Sequence, residues 1–319
     1  MSPKLIFGTG GLGMAGSGSF QDVDSVRPLM STLKELGITH LDTAARYPPP
    51  SPGLAEQLVG STAEGFVVDT KVLTDTSTDG SGDLEKETME ESVNASLGRL
   101  KRESVNILYS HRADPATPLV DQVRNFNEQI QQGHCKHWGV SNTPPAVLEE
   151  MLKICDKNGW QKPRYYQGSY SLITRGMETK LFPMLRSAGM HFNGYQPLAA
   201  GFLTGKFVNN DYTGTRFDTS SPVGSVMQKM FSGDQLMVAM KKFDAAVQAE
   251  GLTSPEVAIR WLIHHSVLGD DDGIILGASR IEQVHDTVAL TRKGPLEGNV
   301  LALAEELWQD VKSLRSEIL

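Results

Sequence analysis

Residues 5–41 read LIFGTGGLGMAGSGSFQDVDSVRPLMSTLKELGITHL, and the order of patterns within them decides the architecture. A short apolar run, Leu5 to Gly8, gives way to a glycine-rich loop. Asp22-Val-Asp-Ser then opens an amphipathic stretch that runs to Glu35-Leu36 and stops at Gly37, the expected helix-terminating glycine. A second apolar run, Ile38 to Leu41, follows at once. Strand, helix, strand is the repeating unit of a parallel sheet.

The same grammar continues to the end of the chain. Further strands are expected at Phe66 to Thr70, Val105 to Tyr109, His137 to Val140, Tyr165 to Gln167, His191 to Tyr195 and Ile274 to Leu276, making eight with the first two. Thr143-Pro144-Pro145 reads as the cap and start of a helix through Ile154 that ends at Asn158-Gly159, and Thr253-Ser254-Pro255-Glu256 as a capped start before Val257 to His264. Eight strands separated by helices favour an α/β fold closed as a (β/α)8 TIM barrel, because closure leaves no edge strand unprotected. No linker or low-complexity tract divides residues 1–319, so a single domain is expected. Two segments break the rhythm: a long polar loop at about 206–232, a candidate substrate loop or lid, and an extra helix after 294, around Leu301 to Leu314.

Composition bounds the function. With 319 residues, 39% hydrophobic and 21% charged, the chain buries a large core and is not disordered. A net charge of −8 would repel a phosphate backbone, so no nucleic-acid partner is expected. Cys135 and Cys155 show neither a CxxC spacing nor a histidine cluster, so no metal site and no disulfide framework is read from them. No stretch of 18 apolar residues occurs and the N-terminal region lacks a long apolar run, so a cytoplasmic protein with no membrane partner is expected. Leucine and methionine stripes such as Leu29, Leu33, Leu36 and Met237, Met240 read as core packing, and a homodimer is left open.

Active sites of such barrels form where strands end, and the polar residues there make a coherent set. Strand two runs into Asp42-Thr43-Ala44-Ala45-Arg46-Tyr47, strand three into Lys71, and strand four into Ser110-His111. A phenol with pKa about 10 is a poor donor to a carbonyl at neutral pH, and a neighbouring cation lowers that pKa. Lys71 supplies the cation, Asp42 keeps it charged, and His111 orients a substrate oxygen or relays the proton. Singly, each residue has a plainer explanation: Asp42 as a helix cap, Tyr47 packed on Pro48-Pro49-Pro50, Lys71 in solvent, His111 in the core. Their placement at successive strand ends outweighs these.

The motifs together resemble the aldo-keto reductase superfamily, and most of all its aflatoxin-aldehyde reductase branch. The resemblance is carried by Gly8-Thr-Gly-Gly-Leu-Gly13, Asp42-Thr-Ala-x-x-Tyr47, Lys71, His111, Gly139-Val-Ser-Asn142, Gln167, and the run from Tyr195 to Lys206, in order and spacing. It implies an oxidoreductase that reduces an aldehyde or ketone with NADPH, with Asp42, Tyr47, Lys71 and His111 as its catalytic residues. Ser141, Asn142 and Gln167 would then bind the nicotinamide carboxamide and Tyr195 would stack on its ring. Gln196, Pro197, Leu198, Gly201 and Lys206 would approach the pyrophosphate. Gly277, Ala278, Ser279, Arg280 and Gln283 would hold the adenosine 2′-phosphate, with Asp286 at the adenine.

There are departures from the family pattern. Thr287 stands where an asparagine is often found, and Arg46 with the following prolines makes the pocket wall stiffer and more basic than usual. Arg216 matches a position that in the resembling branch takes a cofactor phosphate or an anionic substrate group. An accessory subunit that binds NADPH with little catalysis, as potassium-channel β subunits do, is the alternative the same scaffold allows. The intact set of four argues for chemistry.

Overall fold

The computed structural model describes residues 2–16, 18–75, 79–220 and 222–315. Position 221 of the long loop and the chain end at 316–319 therefore lie outside the described residues. Eight strands, β1 (Lys4–Gly8), β2 (His40–Asp42), β3 (Val67–Lys71), β4 (Val105–Ser110), β5 (Cys135–Ser141), β6 (Tyr165–Ser169), β7 (His191–Tyr195) and β8 (Gly273–Leu276), form a closed barrel in chain order. Each pairs in parallel with the next, and β8 returns to β1 through Lys4 to Phe7 against Gly273 to Leu276. The first half carries helices α1 (Val23–Glu35), α2 (Leu54–Thr62), α3 (Lys86–Leu100), α4 (Leu119–Gln131) and α5 (Pro145–Asn158). The second carries α6 (Leu181–Ser187), α7 (Pro222–Phe231), α8 (Asp234–Ala249), α9 (Ser254–His264), α10 (Ile281–Thr291) and α11 (Gly298–Arg315).

The barrel predicted from the alternation is therefore the fold, with local corrections. β2 begins at His40 rather than Ile38, because Ile38 is still held in the helix-ending turn: Gly37 N–H donates to Lys34 O at 3.0 Å and Ile38 N–H to Leu33 O at 2.8 Å. Thr143 does not cap α5. Its hydroxyl donates to Ser141 O at 3.2 Å, and Pro144 occupies the cap position without a side-chain bond. The 206–232 segment is not irregular throughout, since α7 lies within it.

Packing explains why the helices sit where they do. Leu29 and Leu33 of α1, and Met240 and Val247 of α8, are wholly buried. Inside the barrel, Asn193 on β7 donates to the hydroxyl of Tyr109 on β4 at 2.9 Å, a bond between strands that are not neighbours and so one that crosses the interior. The interior is filled by side chains, and ligands are confined to the ends.

Candidate active site

Parallel pairing puts the C-terminal ends of all strands on one rim, and register brings the polar residues there side by side. Asp42 ends β2, Lys71 ends β3, and Ser141 at the end of β5 pairs with Gln167 on β6. Lys71 is fully buried, and its ammonium donates to both carboxylate oxygens of Asp42 at 2.7 Å and to Thr43 O at 2.8 Å. Those three acceptors use every proton an ammonium has. Lys71 therefore acts on Tyr47 through its charge alone, with Nζ 5.2 Å from the phenol ring centroid. The clamp crosses the rim, because Gln167 Nε2 donates to Asp42 Oδ1 at 2.8 Å from the opposite wall. Asp42 is thus a partner of Lys71 and Gln167 and not a helix cap.

Tyr47 stands edge-on to His111, with ring centroids 5.5 Å apart. The expected lowering of its pKa by Lys71 does not prevail. Burial raises it, and the cations of Lys71, Arg216 and Arg46 offset this only in part, so Tyr47 sits above the ordinary phenol value and keeps its proton at neutral pH. Burial alone would lower the Lys71 pKa, but Asp42 and Tyr47 raise it overall, so the amine stays charged. The imidazole of His111 is driven down to about 3 by burial, then by Lys71, Arg46 and Arg112, and is neutral. Its Nδ1 is buried without a hydrogen-bond partner among the described residues.

The residues expected to meet a nicotinamide are also brought together. Asn142, held at φ 51°, donates through Nδ2 to Ser141 Oγ at 3.0 Å and to His111 O at 3.2 Å, while its Oδ1 accepts from the Tyr195 hydroxyl at 2.7 Å. After β7 the backbone takes left-handed values at Gln196, Ala199, Ala200 and Gly201, the last at φ 98°. Non-glycine residues rarely adopt such values, and strain of this kind gathers at functional loops. Pro197 is buried and Leu198 half-buried within this turn, and Lys206 beyond it is exposed, 3.9 Å from Asp211. Arg216 is exposed, yet its charge reaches Tyr47.

Gly277, Ala278, Ser279 and Arg280 follow β8 as the sequence implied, but both Ser279 donors and the Arg280 backbone N–H are already taken. Gln283 Oε1 accepts from Ser279 N–H at 2.7 Å, Ser279 Oγ at 3.0 Å and Arg280 N–H at 3.3 Å. Arg280 and Asp286 are exposed. Sequence reading missed two elements of the site. One is the Thr43 carbonyl as third acceptor for Lys71, since backbone roles leave no residue signature. The other is Arg112 beside His111, where it meets Asp83 at 3.5 Å and the carbonyl of Asp75.

A closed parallel barrel with an acid, a lysine, a phenol and a neutral imidazole converging on its C-terminal rim defines a carbonyl-reducing oxidoreductase, and comparison with known proteins agrees. The aldo/keto reductase family model matches residues 4–309, and the chain belongs to that family. It is 32% identical over 314 residues to human aflatoxin B1 aldehyde reductase member 2, covering 93% of this chain and 85% of that protein. An aldo-keto reductase of Pseudocercospora fijiensis is 31% identical over 292 residues, covering 89% and 97%. The oxidoreductase sirO of Leptosphaeria maculans is 30% identical over 320 residues, covering 98% and 95%. Small carbonyl compounds are the substrates of this family. No helix among the described residues is long and apolar enough to cross a membrane, and no group of acidic, cysteine or histidine side chains among them could hold a metal.

Proposed function

We propose that the protein reduces an aldehyde or ketone to the alcohol with NADPH, using Tyr47 as the proton donor. The observation that carries this reading is the saturated Lys71 clamp beside a protonated Tyr47 and a neutral His111. The donor set at the rim fits a carboxamide. Ser141 has its hydroxyl proton to give, Gln167 its Oε1 to accept, and Asn142, with both N–H bonds spent, a remaining lone pair on Oδ1. Tyr195, fixed by Asn142, would flank the ring. The turn from Gln196 to Gly201 and Lys206 would lie along the pyrophosphate, with Arg216 as a second counter-charge.

What NADPH supplies when bound is a hydride for the carbonyl carbon. Negative charge then grows on the carbonyl oxygen, where the Tyr47 hydroxyl donates a hydrogen bond and then its proton. His111, uncharged, serves as a second hydrogen-bonding group to the same oxygen without competing as an acid. Lys71 stabilises the phenolate left on Tyr47, and Asp42 holds Lys71 charged while it does so. Preference for NADPH over NADH rests on Arg280 and Ser279. Because Gln283 occupies the Ser279 and Arg280 amides, the exposed Arg280 guanidinium would be the first group to meet a 2′-phosphate.

Titration of the protein with NADPH and NADH by nicotinamide fluorescence, with turnover of a carbonyl panel in wild type and Tyr47→Phe, tests the reading. NADPH binding retained in both, with kcat reduced by about 10²-fold or more in Tyr47→Phe, is the expected result. Binding without turnover on any carbonyl overturns the catalytic assignment in favour of an accessory role, and failure to bind either nucleotide overturns both.

A further inference from the structure

The interior of the barrel holds a second carboxylate beneath the Lys71 clamp. β3 reads Val-Val-Asp-Thr-Lys, and residues two apart on a strand share a face, so Asp69 lies on the same side as Lys71, about 6.6 Å further down the strand. It is also in register with Asp42 on β2. Branched apolar side chains usually fill such interior positions, and a buried carboxylate there is costly unless it is paired. Asp69 is wholly buried. Its Oδ1 accepts from Asn106 Nδ2 at 2.8 Å, and its Oδ2 meets His40 Nε2 at 2.8 Å.

Of these two partners only His40 can carry charge, and only when protonated. It opens β2 at the N-terminal end of the barrel, and its side chain is 21% exposed where that of Asp69 is sealed. His40 can therefore exchange a proton with solvent, an access Asp69 lacks. Burial would lower the imidazole, but Asp69 by charge and hydrogen bond, and Asp42 beyond it, raise it above 6.5 against the opposing Lys4 of β1. The Asp69 charge is felt in turn at Asp42, Lys71 and Tyr109. Burial, and then Arg164, hold His137 of β5 and His191 of β7 below 6.5, while burial raises Tyr165 between them above the ordinary phenol value. His40 is thus the group of this layer set to change charge above pH 6.5.

With His40 protonated, the pair with Asp69 is neutral overall. Once His40 loses that proton, the Asp69 charge stands uncompensated behind Lys71 and opposes the negative charge that grows on Tyr47 and the carbonyl oxygen. We propose that Asp69 and His40 are positioning residues for the reduction: the proton on His40 cancels the Asp69 charge and lets Lys71 act at full strength on Tyr47. This deepens the reductase reading and rests on it. Neither residue stands at the rim, and both act through Lys71 and Asp42.

The test is the single-turnover rate of NADPH oxidation by 4-nitrobenzaldehyde, a substrate that does not titrate, followed from about pH 6 to pH 9 in wild type, His40→Gln and Asp69→Asn. The wild-type rate should fall by roughly three- to tenfold as pH rises through the His40 midpoint. His40→Gln can still hydrogen-bond Asp69 but cannot titrate, and should stay near the slow alkaline plateau at every pH. Asp69→Asn removes the charge itself and should stay near the fast acid plateau. In wild type the His40 ring, followed by NMR, should titrate at the kinetic midpoint, and NADPH affinity should be the same in all three proteins. A merely structural tie would instead lower the rate of both variants at every pH and leave the step in place. That result, a flat wild-type profile, or a His40 midpoint away from the kinetic step overturns this proposal and leaves the reductase reading standing. Should one variant fail to fold, the other variant and the wild-type NMR midpoint decide. Absence of nucleotide binding or of turnover in wild type overturns the reductase reading and this proposal with it.

Discussion

His111 shows how much one side chain's surroundings decide. Its type allows charge near neutrality, but burial and three neighbouring cations remove that option, taking the pKa from 6.5 to about 3. The native state therefore refuses a proton that the unfolded chain accepts below pH 6.5. Stability from this residue is intact above that value and is lost as pH falls toward 3, at up to about 1.4 kcal/mol per pH unit. Thermal melts at pH 7 and pH 5 should show wild type losing a few degrees more than His111→Gln. Parallel losses in the two proteins would mean that His111 is not the group responsible. Tyr47 teaches a related lesson, because the neighbouring Lys71 was visible in sequence while the opposing desolvation was not.

At the level of elements, the rim residues are held in place by contacts far from the rim. Helices α2 and α3 meet where Gly60 faces the backbone of Arg99, and a Cβ at position 60 would lie 2.2 Å from the Arg99 carbonyl oxygen. The obstacle is backbone, which cannot swing aside as a side chain would. Gly60→Ala should cost about 2 kcal/mol or more through forced separation of the two helices, measured by denaturant unfolding. A change within a few tenths of a kcal/mol would show that the pair has slack. The neighbouring Glu56 of α2, buried and bonded to Arg99 Nε at 2.8 Å and Thr70 Oγ1 at 2.6 Å, ties the same junction to β3 one residue before Lys71. Displacement of α2 is thereby passed toward the site.

The whole molecule is polar, with the proposed chemistry at one end of the barrel and closure at the other. At the N-terminal end Asp272, just before β8, accepts from Phe192 N–H at 2.8 Å, Gly269 N–H at 2.6 Å and Arg186 Nη1 at 2.9 Å, joining β7, β8 and α6. Asp272→Ala strips a buried ionic and amide network of its acceptor and should cost about 3 kcal/mol of stability. Because the rim is remote, kcat/KM of the surviving folded protein should stay within about twofold of wild type. A large loss of kcat/KM at full folding would refute that separation of roles. Charge is polar too: an acidic molecule of net charge −8 gathers Arg46 and Arg216 near Tyr47 and Arg46 and Arg112 near His111, an arrangement that draws anions to the mouth.

Periodicity was enough for the barrel, because each run such as Val105 to Tyr109 or His191 to Tyr195 carries its own apolar pattern and some helices their own stop signal, as at Gly37 and Gly159. The same logic placed Asp42, Lys71 and His111 at strand ends, since chain order and strand position coincide in a parallel barrel. Strand boundaries slipped by a residue or two where a turn competed, as at Ile38. Bonds between distant residues, Gln167 to Asp42 or Tyr195 to Asn142, and the self-capping by Gln283, followed only from the folded geometry. So did the Arg46 Nε that finds no hydrogen-bond partner among the described residues, because whether a charge finds a partner depends on which groups the closed barrel brings near it, and no local pattern encodes that.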